Sequence, residues 1–355
     1  MAGDSLMDVA NEAGSDLLTE TPGAEAFGRQ YGVSPHIHRE DFIFQYHKTS
    51  TWADDPAKVV EYYFSDGHNS ARRLDELIAK FHRGEARPRS LFEFASGYGC
   101  VSRHLKALGS RYDVLACDIH PAAVEFLATD VGVPSLLSSS TPEGLDVGGK
   151  KFDVVFALSF FSHMPHATWG RWVRRLFDTV ADDGLLIFTA HGTTGFKAIR
   201  NPDPTQNGYH MEHEEYRLER DGYWFLPLSE QLDLSLTEYG TMIVTPFYVM
   251  DQLRGDPRAK PIFYQESFWW DTQDVYVIRK DAALAMAAPV EDQPSPLEAR
   301  VVRLEADLEA IRARAAALEP VVDHAAALQA EVAMLRASTS WRLTAPLRMA
   351  ARLLK

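Results

Sequence analysis

The chain has 355 residues, 46% of them hydrophobic and 24% charged, a globular composition long enough for one large domain or two and for a core that needs no covalent staples. Its 36 Lys and Arg against 50 Asp and Glu leave a net charge of −14. That argues against a general nucleic-acid binder, which carries excess cations to neutralise phosphates. The two cysteines, Cys100 and Cys117, exclude a disulfide scaffold and a cysteine-based zinc site, and read as small buried thiols in a reducing compartment. The acidic N-terminus carries no apolar run, and no stretch reaches about 18 consecutive apolar residues, so neither a secretory signal nor a spanning helix is expected. The expected location is cytoplasmic.

Residues 1–40 are rich in Gly, Asp, Glu, Ser and Thr with little periodicity, which predicts a mobile arm. The next body, 41–280, opens on aromatic residues. Pro56 starts a predicted helix over 57–64, Gly67 breaks it, and a second helix over 70–81 sets Leu74, Leu77, Ile78 and Phe81 on one face. Strands then alternate with helices. The predicted strands are 90–95, 112–117, 135–137, 152–158 and 185–190. Between them lie helices over 101–108, after Pro121, and over 166–180, the last with Trp169, Trp172, Val173, Leu176 and Phe177 in its buried stripe. This alternation predicts an α/β fold with a doubly wound, mostly parallel sheet.

Residues 191–235 interrupt the pattern with Gly, Pro, Tyr, His and Glu and are read as an insertion or lid. Strands over 241–249 and 273–280 close the domain. An Ala/Pro/acid linker, 281–296, follows. From Leu297 apolar or small residues recur at alternating spacings of four and three, through Val301, Leu304, Leu308, Ile311, Ala315 and Leu318, which predicts a coiled coil over 297–335 interrupted near Pro320. Such a segment predicts homo-oligomerisation, an intramolecular helical arm being the other reading. The last stretch, 336–355, holds Arg336, Arg342, Arg348, Arg352 and Lys355 and no acid, interleaved with Trp341, Leu343, Leu347 and Leu354. It reads as a basic amphipathic tail for an anionic membrane surface at its inner face, or for a protein partner.

The chemistry concentrates after the first strand. Leu91-Phe-Glu-Phe-Ala-Ser-Gly97-Tyr-Gly99-Cys100 is a strand, a glycine turn and a helix start. Gly97 and Gly99 let backbone approach a ligand closely. The second strand ends at Asp118, a position from which an acid can accept both hydroxyls of a ribose. Together they predict a nucleoside cofactor across the carboxyl ends of the first two strands. A dinucleotide turn would carry a third glycine where Ser102 stands, and no phosphate-binding Lys follows the glycines.

Glu93-x-Ala95-x-Gly97-x-Gly99, with Asp118, resembles the acid-x-Gly-x-Gly-x-Gly signature of class I S-adenosylmethionine-dependent methyltransferases. Phe152–Leu158 with Ser159–Pro165 resembles that family's fourth strand and its loop, Leu185–Phe188 its fifth strand and Asp274–Ile278 its last. The resemblance covers about 60–280 and implies a seven-stranded Rossmann-like sheet with S-adenosyl-L-methionine as cofactor. Ala95 departs from the first glycine, and Ser138–Thr141 stand where an adenine-binding acid is often found. By the resemblance, Ala95–Gly99 pass under the methionine, Glu93 fixes the turn and the amino group, and Asp118 takes the ribose. Ile119 packs on adenine, Leu158 and Ser159 lie beneath the sulfonium, and Tyr63 and Gly67 match the segment over the methionine carboxylate.

Methyl transfer needs an in-line nucleophile and often a base. His163 and His191 follow the fourth and fifth strands at the edge where the methyl would lie, so either is a candidate base or a wall residue. His210, Glu212, His213, Glu214 and Glu215 match no standard metal spacing and read as a solvated face, so no metal is expected. Tyr209, Tyr223, Trp224 and Phe225 suit either stacking on a sugar or the core of the insertion. Finally, Ser340–Arg348 resembles a terminal motif found with bacterial surface-polysaccharide glycosyltransferases and their partner methyltransferases. It implies a sugar or glycan acceptor, O-methylation and a possible glycosyltransferase partner. A secondary metabolite as acceptor, or a non-catalytic coiled-coil scaffold recruiting glycosyltransferases, are the alternatives.

Overall fold

The computed structural model describes residues 23–49, 52, 54–84, 88–199, 215–227, 231, 234–286, 300, 304, 328–346 and 348. The chain divides into two units, Met1–Val290 and Glu291–Lys355.

The first unit begins with helices α1 (Ala24–Tyr31), α2 (Phe42–Thr49) and α3 (Pro56–Phe81). Asp55 accepts the N–H of Lys58, and Pro56 fills a first-turn position that needs no donor, so α3 starts where the sequence says it should. It does not stop at Gly67. A Cβ there would sit 2.2 Å from the carbonyl oxygen of Cys100. The helix therefore runs through its glycine because the backbone of 100 packs onto it, outweighing a propensity cost of about 1 kcal/mol. The predicted arm is also corrected over its described part. Ala24 and Ile37 pack with Phe44, Val59, Val60, Tyr63 and Phe64 in a core of their own; residues 1–22 lie outside the described residues.

The alternating pattern then holds: β1 (Arg89–Phe94), α4 (Ser102–Ala107), β2 (Tyr112–Asp118), α5 (Pro121–Phe126), β3 (Ser135–Leu137), β4 (Phe152–Ala157), α6 (His166–Thr179) and β5 (Val180–His191). These strands lie in the order β3-β2-β1-β4-β5, all parallel. Successive residues point to opposite faces. Phe92, Val155 and Leu186 meet Trp169, Trp172 and Leu176 of α6. Leu91, Val154 and Leu185 share the other core with Leu74, Leu77 and Ile78 of α3. Cover on both faces is why the interior strands read as unbroken apolar runs.

Among the described residues the sheet has nine strands rather than seven. Within 191–235 the chain forms α7 (Thr193–Ile199), α8 (Glu215–Asp221) and β6 (Tyr223–Leu226). β6 pairs antiparallel with β7 (Thr241–Val244), and β7 joins β5 in parallel where Ile243 meets His191. Part of the predicted lid is thus sheet. The strand expected over 241–249 ends at Val244, because Thr245 caps and Pro246 opens α9 (Pro246–Leu253). A strand not expected from the sequence, β8 (Ala259–Trp269), pairs with β9 (Gln273–Lys280), which runs antiparallel to β5. The expected linker begins with a 3₁₀ turn, Ala282–Met286.

In the second unit residues 328–337 are helical. Ser338 then caps α10 (Thr339–Leu343) by accepting the N–H of Trp341. Arg348 lays its guanidinium 3.7 Å over the Trp341 ring. Of the predicted heptad seam, Leu297, Val301, Leu308, Ile311, Ala315, Leu318, Val322 and Ala325 lie outside the described residues. Among the described residues no helix is long and apolar enough to cross a membrane.

Candidate functional site

The turn between β1 and α4 is held in a left-handed conformation at three places: Ala95 (φ 57°), Gly97 (φ 55°) and Gly99 (φ 80°). Ala95, standing where the family signature has glycine, takes a conformation that costs an L-residue roughly 1–2 kcal/mol. The two glycines differ. A Cβ at Gly99 would come 2.7 Å from Leu127, whereas one at Gly97 would meet nothing within 4 Å. Gly99 is held to glycine by its left-handed backbone, with the end of the Leu127 side chain beside it, and the face of the turn at Gly97 is open.

Three residues brace this turn from inside. Ser96 donates its N–H to the carbonyl of Cys117, tying the turn to β2. Glu93, almost fully buried, accepts the Ser102 hydroxyl at 2.5 Å. Burial pushes its carboxyl up to about 7; the Ser102 bond opposes the rise and the charge of Asp118 adds to it. Asp118 accepts the N–H of Gly97 at 2.7 Å on Oδ2 and the N–H of His120 at 3.0 Å on Oδ1, with the His120 ring nitrogen Nδ1 2.8 Å from the same oxygen. A carboxylate has about four lone-pair sites, so these three contacts orient Asp118 and leave it about one site to accept from a ligand. The residues fit a ribose-bearing cofactor: an oriented acid beside an open backbone face.

Ile119 follows the acid and is 38% exposed; Leu137, in register with Asp118 on β3, is 50% exposed. Two exposed apolar side chains flank the acid, of which the sequence reading identified only Ile119. Tyr63 and Gly67 touch the turn itself. Gly67 packs on Cys100, and buried Tyr63 engages Arg103 and Asp41 through its hydroxyl. Cys100 is half-buried and Cys117 buried.

Beyond β4, Leu158 packs against the second core and Ser159 is again left-handed (φ 63°). Ser159 donates its N–H to the Thr189 hydroxyl at 2.8 Å and accepts the Gln273 side-chain amide at 2.7 Å; Thr189 in turn donates to Gln273 at 2.5 Å. This chain across β4, β5 and β9 locks the strained residue in place. Thr189 and Gln273 were not identified from sequence, the signal being only polar residues inside strands that otherwise read as apolar. His163 stacks on Tyr239 (centroids 4.6 Å, planes 9° apart), with Nδ1 2.8 Å from the carbonyl of Gly240. His191 ends β5 with Nδ1 3.3 Å from the carbonyl of Thr272. A carbonyl only accepts, so in each neutral imidazole Nδ1 carries the proton and Nε2 is the basic nitrogen. β7 relates the two: Gly240 holds His163, and Ile243 is in register with His191.

The described aromatic residues of the predicted insertion are taken up in packing. Tyr223 stacks on His166 at 4.2 Å, Trp224 forms a small core with Phe196, Leu218 and Ile243, and Phe225 packs on the main core. Tyr209, His210, Glu212, His213 and Glu214 lie outside the described residues; Glu215 opens α8.

Residues 92–186 match the family model described as a methyltransferase domain. The matched segment runs from β1 to β5 and holds Glu93, the turn, Asp118, Ser159 and His163. Among solved structures, the chain is similar to 1,6-didemethyltoxoflavin-N1-methyltransferase of Burkholderia thailandensis, at 16% identity and a TM-score of 0.42, covering 68% of this chain and 87% of that one. It is similar to an S-adenosylmethionine-dependent methyltransferase from Clostridium acetobutylicum, at 11% identity and a TM-score of 0.44, covering 67% and 97%. It is also similar to the CcbJ methyltransferase of Streptomyces caelestis, at 16% identity and a TM-score of 0.40, covering 61% and 90%. No curated protein sequence matches the chain.

Proposed function

We propose that the protein is an S-adenosylmethionine-dependent methyltransferase that O-methylates a sugar or glycan in surface-polysaccharide synthesis. The observation that carries the cofactor is Asp118 clamped to the N–H of Gly97 beside the open face of the turn, inside the segment that matches the methyltransferase domain. When bound, S-adenosylmethionine supplies an electrophilic methyl group on a sulfonium. Asp118 would accept from the ribose, Ile119 and Leu137 would offer apolar surface to the base, and Glu93 would hold the turn and the amino group. His163 or His191, through Nε2, would take the proton of the acceptor hydroxyl. Ser159, fixed by Thr189 and Gln273, would lie with Leu158 beneath the sulfonium. The acceptor class rests on Ser340–Arg348.

The proposal extends to the second unit. Homo-oligomers form through 297–335, and the tail 336–355, five cations without an acid, holds the cytoplasmic protein at an anionic membrane surface or at a glycosyltransferase. Incubation with tritiated methyl donor and separate pools of nucleotide sugars, glycan extract and small secondary metabolites tests the reaction. Label in a sugar pool supports it, and His163→Ala should lower that rate about 10²–10⁴-fold with cofactor affinity intact. Label only in small secondary metabolites contradicts the acceptor, and an unchanged His163→Ala rate moves the base to His191.

A further inference from the structure

We propose that Arg103 is a positioning residue for the glycine turn: it fastens the turn to the N-terminal segment 34–41, so that this segment sets cofactor affinity. The inference rests on the cofactor reading above. Arg103 lies in the short helix after the turn and is 1% exposed. A guanidinium has five N–H donors, and here each has an acceptor. Nε donates to the carbonyl of Gly99 at 2.9 Å; Nη1 donates to the carbonyls of Ser34 and His36 at 2.9 and 2.8 Å; Nη2 donates to the Tyr63 hydroxyl at 3.0 Å and the carbonyl of Tyr98 at 3.3 Å. Two acceptors belong to the turn, two to the N-terminal segment and one to α3.

A buried charge survives only when satisfied in this way, so the three partners are bound to one arrangement. Other contacts repeat the coupling. Tyr63 donates its hydroxyl to Asp41 at 2.5 Å, and Asp41 accepts the N–H of Phe44. The Tyr98 ring, carried by the turn, stacks on His38 (4.5 Å, 12°), and its hydroxyl donates to Glu40 at 3.1 Å. The segment thus grips the turn through both its carbonyls and its one large side chain. The turn carries one strained residue, Ala95 at φ 57°, and such a conformation persists only when its surroundings over-determine it.

Two variants test this without removing the buried charge: Tyr63→Phe deletes only the hydroxyl that links Arg103 to Asp41, and Glu40→Ala removes an exposed partner of Tyr98. Full-length ligand-free protein is followed by amide hydrogen exchange, and S-adenosylhomocysteine affinity by calorimetry. Exchange at 97–100 should rise in both variants while exchange in β4 and α6 stays as in the unaltered protein. Affinity for S-adenosylhomocysteine should weaken about tenfold, the effect of one hydrogen bond involving a charged group. A merely structural role would lower the melting temperature and leave the turn and the affinity of the folded protein unmoved; that result overturns the proposal. If the unaltered protein fails to bind S-adenosylhomocysteine, the cofactor reading falls instead, and turn exchange alone decides whether the segment holds the turn.

Discussion

Glu93 is a carboxyl group held where ionisation is costly. Its ordinary value is 4.5, and burial beside Asp118 lifts it to about 7. The folded state therefore binds a proton that the unfolded chain has lost across this interval. The stability it confers is complete below pH 4.5 and is lost as pH rises to about 7. Glu93→Gln, which keeps an acceptor for Ser102, should remove that dependence. Urea unfolding at a series of pH values should show the variant gaining on the parent between pH 4.5 and 7, by on the order of 3 kcal/mol; parallel curves would show that Glu93 ionises freely. At this scale the sequence revealed the acids and the glycines, because their spacing is local. It concealed what holds them. Arg103, Thr189 and Gln273 act through partners 30 to 114 positions away, and no window of sequence contains both ends.

Helix α3 and strand β8 show what decides an element. Gly67 looks like a break because glycine is a poor helix former, yet the helix continues because the backbone at Cys100 closes onto it. The sign of one substitution follows. Gly67→Ala in an open helix stabilises by about 1 kcal/mol; here its Cβ has no room beside a backbone oxygen, and overpacking should lower stability by about 1–3 kcal/mol, read as a fall in melting temperature. A rise would mean that the helix and the turn are not in contact. The central strands were legible because both their faces are covered. β8 was not: Lys260, Pro261, Gln265 and Glu266 break its apolar run, it is only half-buried, and its partner within the sheet is β9. β6 was hidden in the same way, four residues inside a polar stretch that become a strand only against β7.

On the scale of the whole molecule, a net charge of −14 is distributed unevenly, with a terminal stretch of cations and no acids. The parallel sheet puts Asp118, Ser159 and His191 at the carboxyl ends of β2, β4 and β5, which is where ligands bind in doubly wound folds. That placement could be read from alternation alone, since the topology follows once strands and helices alternate. The central claim, that this edge holds S-adenosylmethionine, is tested most directly by calorimetric titration of S-adenosylhomocysteine into the full-length protein and into Asp118→Ala, with NAD as the comparison. Expected is one saturable site in the parent, an affinity at least about tenfold weaker in Asp118→Ala, and no heat from NAD. Binding of NAD without binding of S-adenosylhomocysteine would contradict it.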